Sequence, residues 1–290
     1  KGHSFTTFWD PVTQRIAIPS RELSMSQLSA LHAPAFVLGK LVTTQPDSAG
    51  APSVYKHELT FQDPLTNANC LSTSLIEKMG AEYQKLISGA VINSFSVRGQ
   101  RTDHVTIAWE GFGRKQATDA TALPALSSGQ SFFKIVKAVF TFGSGAGSDI
   151  SAEVLSFDLK VTQDAQPWYL PGNASGDEKL LSKVLIGKQA ISGSLTAYIA
   201  SARRDLFLNN TECMLKVVLT GANISGSYDH SVTIEIPNLK IDSESIQEEN
   251  QTAAYTFTFT EQSVLKVGSE EYFKWTVQTN ISGTEILVAA

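Results

Sequence analysis

The sequence predicts a mainly β protein organised as two comparable halves. Three observations carry this. Long runs alternate apolar and polar residues, most clearly AVINSFSVRGQRTDHVTIAWEGFGRK at 90–115. The chain is rich in Ser, Thr and Val, with 42% apolar and 18% charged residues, a composition suited to folded sheets and not to disorder. A helix-then-strand order also recurs, with VINSFSVRG in the first half echoed by AISGSLTAY in the second. At 290 residues the chain has length for two small domains or one large one, and we divide it at 1–147 and 148–290.

Taken in order, residues 21–32 read as a helix capped by Ser20 and ended by Pro34. TTQPDSAGAPS at 43–53 reads as a surface loop, and 54–61 as a strand. Over 71–87 the apolar residues Leu75, Ile76, Met79, Tyr83, Leu86 and Ile87 fall on one face of a helix. A long hairpin follows, with GQRTD at 99–103 as its loop, so that Val97 meets Val105, Phe95 meets Ile107 and Asn93 meets Trp109 on a core side. Ser94, Ser96 and Arg98 then share a polar side with His104 and Thr106. Strands of eight residues are roughly 26 Å long. A second hairpin is expected from 131–142 and 151–163, joined by GSGAGSD. Then come a short helix at 177–187, a strand at 190–200 and a helical turn at 202–210. Four more strands are expected at 213–220, 231–236, 253–261 and 272–280.

Motifs that carry chemistry are missing from this pattern. FGSGAGSD at 142–149 is followed by more β pattern and not by a helix, so it reads as a turn and not a phosphate loop. No GxSxG or HExxH occurs, and His3, His32, His57, His104 and His230 are scattered singly. The neighbours His57–Glu58 and Asp103–His104 sit where adjacent side chains point apart. DSESIQEEN at 242–250 lacks the ligand order of a calcium loop and reads as a solvated acidic loop. Arg114–Lys115 and Arg203–Arg204 are too small a basic footprint for nucleic-acid recognition on a chain of pI 5.6. Trp109, Trp168 and Trp275 read as core or interface anchors. Cys70 and Cys213 are expected to be free buried thiols. Catalytic, cofactor and metal residues are therefore expected to be none. KGHSFTTFWD resembles no signal peptide, and no run approaches the roughly 18 apolar residues of a membrane helix. The net charge of −5 divides unevenly: residues 1–147 hold 13 basic and 10 acidic side chains, residues 148–290 hold 10 and 18.

Three stretches together carry a family resemblance: LISGAVINSFSVRGQRTDHVTIAWEGFGRK; AISGSLTAYIA followed by ARRDLFLNN; and SVTIEIPNLKID with AAYTFTFTE. Over roughly residues 30–260 the chain resembles the tail tube, or major tail, proteins of long-tailed bacteriophages. The resemblance implies a β-sandwich or partial-barrel subunit with flanking short helices, here as two tandem tube-like domains. It implies stacked rings, trimers with pseudo-sixfold symmetry in preference to hexamers, whose inner strands close one barrel. The expected partners are other copies of the chain, the tape-measure protein, phage DNA sliding through the lumen, and tail terminator and tail-tip proteins. The expected location is the virion tail, assembled in the bacterial host cytoplasm. Ser94, Ser96, His104 and Thr106 then become candidates for the lumen face. Gly99, Gln100, Arg101, Thr102 and Asp103 become a candidate ring-to-ring contact. The competing expectation is a secreted or surface β-sandwich that binds glycans.

Overall fold

The computed structural model describes residues 8–10, 15–51, 53–63, 70–79, 83–101, 103–117, 132–168, 183–198, 201–249, 252–266 and 271–282. The chain opens with β1 (Phe8–Asp10), β2 (Arg15–Ser24), helix α1 (Ser29–Leu38), β3 (Gly39–Thr44) and β4 (Tyr55–Phe61). Next come β5 (Thr73–Met79), the 18-residue β6 (Tyr83–Gln100), β7 (Thr106–Gly113) and β8 (Lys115–Ala117). A 3-10 turn at Ile135–Lys137 leads into β9 (Ala138–Gly143), then β10 (Ser148–Asp149), β11 (Val154–Gln163), β12 (Gln166–Trp168) and β13 (Lys183–Leu185). The rest is β14 (Gln189–Tyr198), helix α2 (Ser201–Leu208), β15 (Cys213–Ser225), β16 (Tyr228–Leu239), β17 (Ser243–Glu249), β18 (Thr252–Phe259) and β19 (Lys274–Thr279).

Two antiparallel sheets form a sandwich. The first runs β1-β2-β7-β6-β11-β14-β18-β17, with β5 and β8 paired to the early part of β6; the second runs β10-β9-β15-β16-β19-β4-β3. One apolar cluster fills the space between them and draws on both halves of the chain, from Met25 to Val277. Aromatic pairs bridge the sheets: Phe95 meets Trp275 edge-on at 5.4 Å, Phe140 meets Phe157 at 5.5 Å, and Phe142 stacks on Phe257 at 6.1 Å.

The halves repeat one order of elements. In the first, β2, α1, the pair β3–β4, the pair β6–β7 and β9 come in this order, with β5 between the two pairs and β8 and the 3-10 turn before β9; in the second, β14, α2, the pair β15–β16, the pair β17–β18 and β19 come in the same order. In the first sheet each half contributes a contiguous block of four strands, β1-β2-β7-β6 and then β11-β14-β18-β17. In the second sheet their strands interleave, β15, β16 and β19 of the second half lying between β9 and β4 of the first. The two halves of the chain therefore share a single core.

Several local expectations change. The helix expected at 21–32 lies instead at Ser29–Leu38, because Arg21–Ser24 pair with Thr106–Trp109 of β7. Ser26 and Ser29, not Ser20, serve its first turn: the Ser26 amide donates to Ser29 Oγ (2.9 Å) and the Ser29 amide to Ser26 Oγ (3.4 Å). Pro34 sits inside this helix. It cannot donate to the Ala30 carbonyl four residues back, and the Trp275 indole N–H donates there instead at 2.8 Å. The helix expected at 71–87 is a β-hairpin, in which Leu75 faces Ile87, Ile76 faces Leu86 and Met79 faces Tyr83.

Segments 131–142 and 151–163 do not pair: β9 enters the second sheet and β11 the first. The turn between β9 and β10 is as expected, with Gly143, Gly145 and Gly147 all at positive φ. Of the helix expected at 177–187, Lys183–Leu185 form β13 and 177–182 lie outside the described residues. The supposed acidic loop at 242–250 is mostly strand β17.

Candidate functional site: the polar face of the first sheet

Strands bury alternate residues, so a sheet packed on one side presents a second face of regular composition. Here the inward residues of β6, β7, β11, β14 and β18 include Phe95, Val97, Ile107, Leu159, Leu195 and Phe257, all buried. The residues between them point the other way. Ser243, Thr258, Ser194, Asp158, Arg98, Thr106 and Ser24 lie opposite one another across seven strands. Two residues further along, Ser245, Thr256, Thr196, Ser156 and Gln100 form a second row. In the opposite direction Ser192, Lys160, Ser96, Ala108 and Glu22 form a third. The face is thus a band of hydroxyls.

The hydroxyls bond to one another and to neighbouring groups. Thr196 and Thr256 lie 2.9 Å apart, Ser243 bonds to Thr258, and Ser94 donates to Glu110 Oε1 at 2.8 Å. The charges are paired across strands: Arg98 meets Asp158, and Lys160 lies 3.8 Å from Glu110. These four side chains line a shallow groove with Ser20, Ser94 and Ser96. Exposed pairs of this kind contribute about 0–1 kcal/mol each to stability. Their larger consequence is that both cations are neutralised by side chains of the same face.

The sequence-derived candidates divide. Ser94, Ser96 and Thr106 lie on this face. His104 does not: it is exposed beyond the start of β7, bridged to Lys134, with its ring edge-on to Phe132 at 6.2 Å. The expected register of the hairpin shifts by two residues, so Val97 faces Ile107 and Phe95 faces Trp109. A shift of two preserves the faces, which is why the core side was still identified. Val105 leaves the ladder to accept the Met25 amide and donate to Phe133, and β6 continues further than expected because β11 pairs with it as far as Gln100.

The supposed loop 99–103 is therefore partly sheet. Gly99 is packed so tightly that a Cβ there would lie 2.6 Å from Ile135 and 2.7 Å from Phe157. Arg101 and Asp103 form the exposed turn, Arg101 lying over the Tyr198 ring at 6.0 Å; Thr102 lies outside the described residues. Asp158, Lys160, Ser192, Ser194, Thr196, Thr256 and Thr258 were missed as site residues. Their signal was present as the polar alternates of 154–163, 190–198 and 253–259, but the strand order that sets them beside Ser94 and Ser96 is not written in any one segment.

Among the described residues no other cluster offers chemistry. Among the described residues no group of three or more His, Cys, Asp or Glu is placed to hold a metal. His57 is buried and fully engaged, its Nε2 donating to the Ile281 carbonyl (2.8 Å) and its Nδ1 accepting from the Thr43 hydroxyl (2.9 Å). Its neighbour Glu58 turns to Lys56 and Lys274 at 2.8 and 3.1 Å. Burial pushes the thiols of Cys70 and Cys213 up to about 11, which keeps them protonated near neutral pH. Trp275 is fully buried and Trp109 partly so; the Trp168 side chain lies outside the described residues. No helix among the described residues is long and apolar enough to cross a membrane.

Comparison with known proteins gives a family. The family model described as phage tail tube protein matches residues 22–260. No curated protein matches the chain.

Proposed function

The chain belongs to the phage tail tube protein family, as a structural component of the virion tail, and on that premise we propose that its hydroxyl-rich sheet face lines the bore of the tube. The observation that carries this is the face itself: Ser and Thr across seven strands, with Arg98 held by Asp158 of the next strand and Lys160 facing Glu110 two strands away. DNA binding is dominated by fixed Lys and Arg on phosphates. A surface with hydroxyls and self-neutralised charges gives a polyanion little to hold on to, and suits the passage of a genome after release of the tape-measure protein.

The strand count supports a particular ring number. Each chain offers a path of eight strands. Three chains give 24 strands, which at about 4.8 Å spacing and a tilt of about 40° close at a backbone diameter of about 50 Å. Six chains would close at about 100 Å. The narrower barrel leaves a bore for one double helix, so a ring of three chains is the better fit, its two tandem repeats giving pseudo-sixfold symmetry. Terminator and tail-tip proteins would cap the stacked rings, assembled in the bacterial cytoplasm. The exposed turn at Arg101–Asp103 would meet the adjacent ring.

Cryo-EM of tubes assembled from the purified chain tests these points together. Three chains per ring with Ser96 and Thr258 facing the lumen is the expected result. Six chains per ring, or a hydroxyl face directed outward, overturns the reading. Removing residues 101–103 should leave a folded subunit that assembles poorly, whereas removing Gly99 and Gln100 as well would strip paired residues from β6.

A further inference from the structure

Among the described residues β3 is the last strand of the second sheet and is paired on one side only. Residues 283–290 lie outside the described residues. We propose that residues 285–290 add to the free edge of β3 in the same chain as one more antiparallel strand, with Leu287 opposite Val42. The strand so added belongs to the second sheet, and stands independently of the bore assigned to the first.

The edge itself is the first support. An unpaired strand is usually blunted by charge, proline, a bulge or brevity. The other end of this sheet, β10, is two residues long. By contrast β3 has six residues, GKLVTT, with one charge, no proline and no irregularity in its ladder with β4. The Gln62 amide donates to the Leu38 carbonyl. By the alternation of an antiparallel ladder, Lys40, Val42 and Thr44 then bond to β4, while Leu41 and Thr43 turn their backbone groups to the open side. Leu41 packs on the core, and its neighbour Val42 is 49% exposed on the outer face.

The path of the chain is the second. β19 ends at Thr279, opposite Tyr55 of β4, the strand next to the edge. The chain then turns over the core side of β4: Ile281 packs against the core, and its carbonyl accepts from His57 Nε2 at 2.8 Å. His57 Nδ1 meets the Thr43 hydroxyl at 2.9 Å, so one imidazole ties Ile281 to β3. The chain has thus moved toward the open edge, at the height of Thr43. Two strand spacings, about 10 Å, separate β4 from a strand beyond β3, and residues 282–284 span about 10 Å when extended. A strand that starts there at Glu285 and runs antiparallel to β3 meets Thr44 first and Gly39 last, with each of the six residues of β3 opposed.

Side-chain pattern is the third. The segment EILVAA brings Ile286, Leu287 and Val288, residue types suited to a packed strand. In this register Leu287 covers Val42 on the outer face, and Ile286 and Val288 lie opposite Thr43 and Leu41 on the core side. Leu41 there borders an open groove of about 690 Å3, shared with Phe61 and Leu71, which gives Val288 an apolar place. A slip of one residue would turn Glu285 to the core side, which its charge disfavours. Covered in this way, β3 is closed to strands from other chains.

Paired cysteines test the added strand. Val42 and Leu287 would form a pair without mutual hydrogen bonds, their Cα atoms about 4.5 Å apart and within reach of a disulfide. Purified protein carrying Val42→Cys and Leu287→Cys is oxidised, and its peptides are mapped by mass spectrometry. Most of it should hold the two peptides joined within one chain, whereas Val42→Cys with Ile286→Cys should join in only a small fraction. No disulfide in the first variant overturns the proposal. Equal yields from both overturn the register, and a disulfide between chains overturns the assignment in favour of a segment from a second copy. Hydrogen exchange gives an independent reading. The Leu41 and Thr43 amides should exchange about tenfold faster when residues 284–290 are removed; equal rates in the full and shortened chains overturn the added strand. Each of these outcomes leaves the tube reading as it stands.

Discussion

Pro34 and Trp275 are far apart in sequence and form one structural unit. The proline leaves the Ala30 carbonyl without its helical donor, and the indole supplies one from the core of the second sheet. Trp275→Phe keeps an aromatic ring against Phe95 but strands that carbonyl, at a cost of about 1–3 kcal/mol. Restoring the amide with Pro34→Ala should recover part of the loss. A double-mutant cycle in urea showing strict additivity would refute the coupling. The buried histidines act in the same way on stability. Burial holds His57, His32 and His230 below the usual imidazole range, although the His57 bond to Ile281 and the Gln278 bond near His230 oppose it. A base with a depressed folded pKa takes up protons more readily when unfolded. Stability is therefore intact above about pH 6.5 and falls as the pH drops below it. Urea midpoints at pH 7.5, 6.0 and 5.0 should decline in that order, and His57→Gln should flatten the decline.

At the scale of elements, the hairpin of β6 and β7 shows how a sheet is bent and what the sequence conceals. A register shift lies between Ile92 and Ser94, where Asn93 accepts the Ala165 amide at 2.9 Å and Gly111 sits opposite. A Cβ on Gly111 would lie 2.1 Å from the Val91 carbonyl oxygen. Gly111→Ala should thus destabilise the subunit by about 1–3 kcal/mol, measured by urea denaturation, because the strands must separate. The alternation of 90–115 makes this hairpin and its buried face legible in the sequence alone. Its register is not, since the turn is set by β11 and Phe133 and not by the hairpin itself. The hairpin of β5 and β6 was misread for a related reason. Its apolar residues are spaced symmetrically about position 81, and the same spacing fills one helical face. Nor did the alternation of 131–142 and 151–163 reveal that the chain crosses from one sheet to the other, because both kinds of connection bury the same residues.

On the scale of the whole molecule, the uneven charge of the halves takes on a specific meaning. The acidic excess of the second half includes Asp158, which covers Arg98 of the first half, while Glu110 of the first half covers Lys160 of the second. Each repeat thus neutralises a cation of the other on the face assigned to the bore. If that neutrality governs transit, Glu110→Gln with Asp158→Asn should uncover two cations per chain without harming the fold, since exposed pairs are worth about 0–1 kcal/mol. Tubes of the double variant should retain short duplex DNA at low ionic strength and release it as salt rises, with an affinity that falls steeply and linearly on logarithmic axes. Unmodified tubes should retain little at any salt concentration. Glu58→Gln is the control, because it frees Lys56 and Lys274 on the second sheet, away from the proposed bore. Equal retention by both variants would mean that the two sheet faces are alike to DNA, and would remove the ground for assigning the hydroxyl face to the lumen. Retention by the first alone, together with slower genome release from phage carrying it, is the result expected of a wall whose neutrality permits passage.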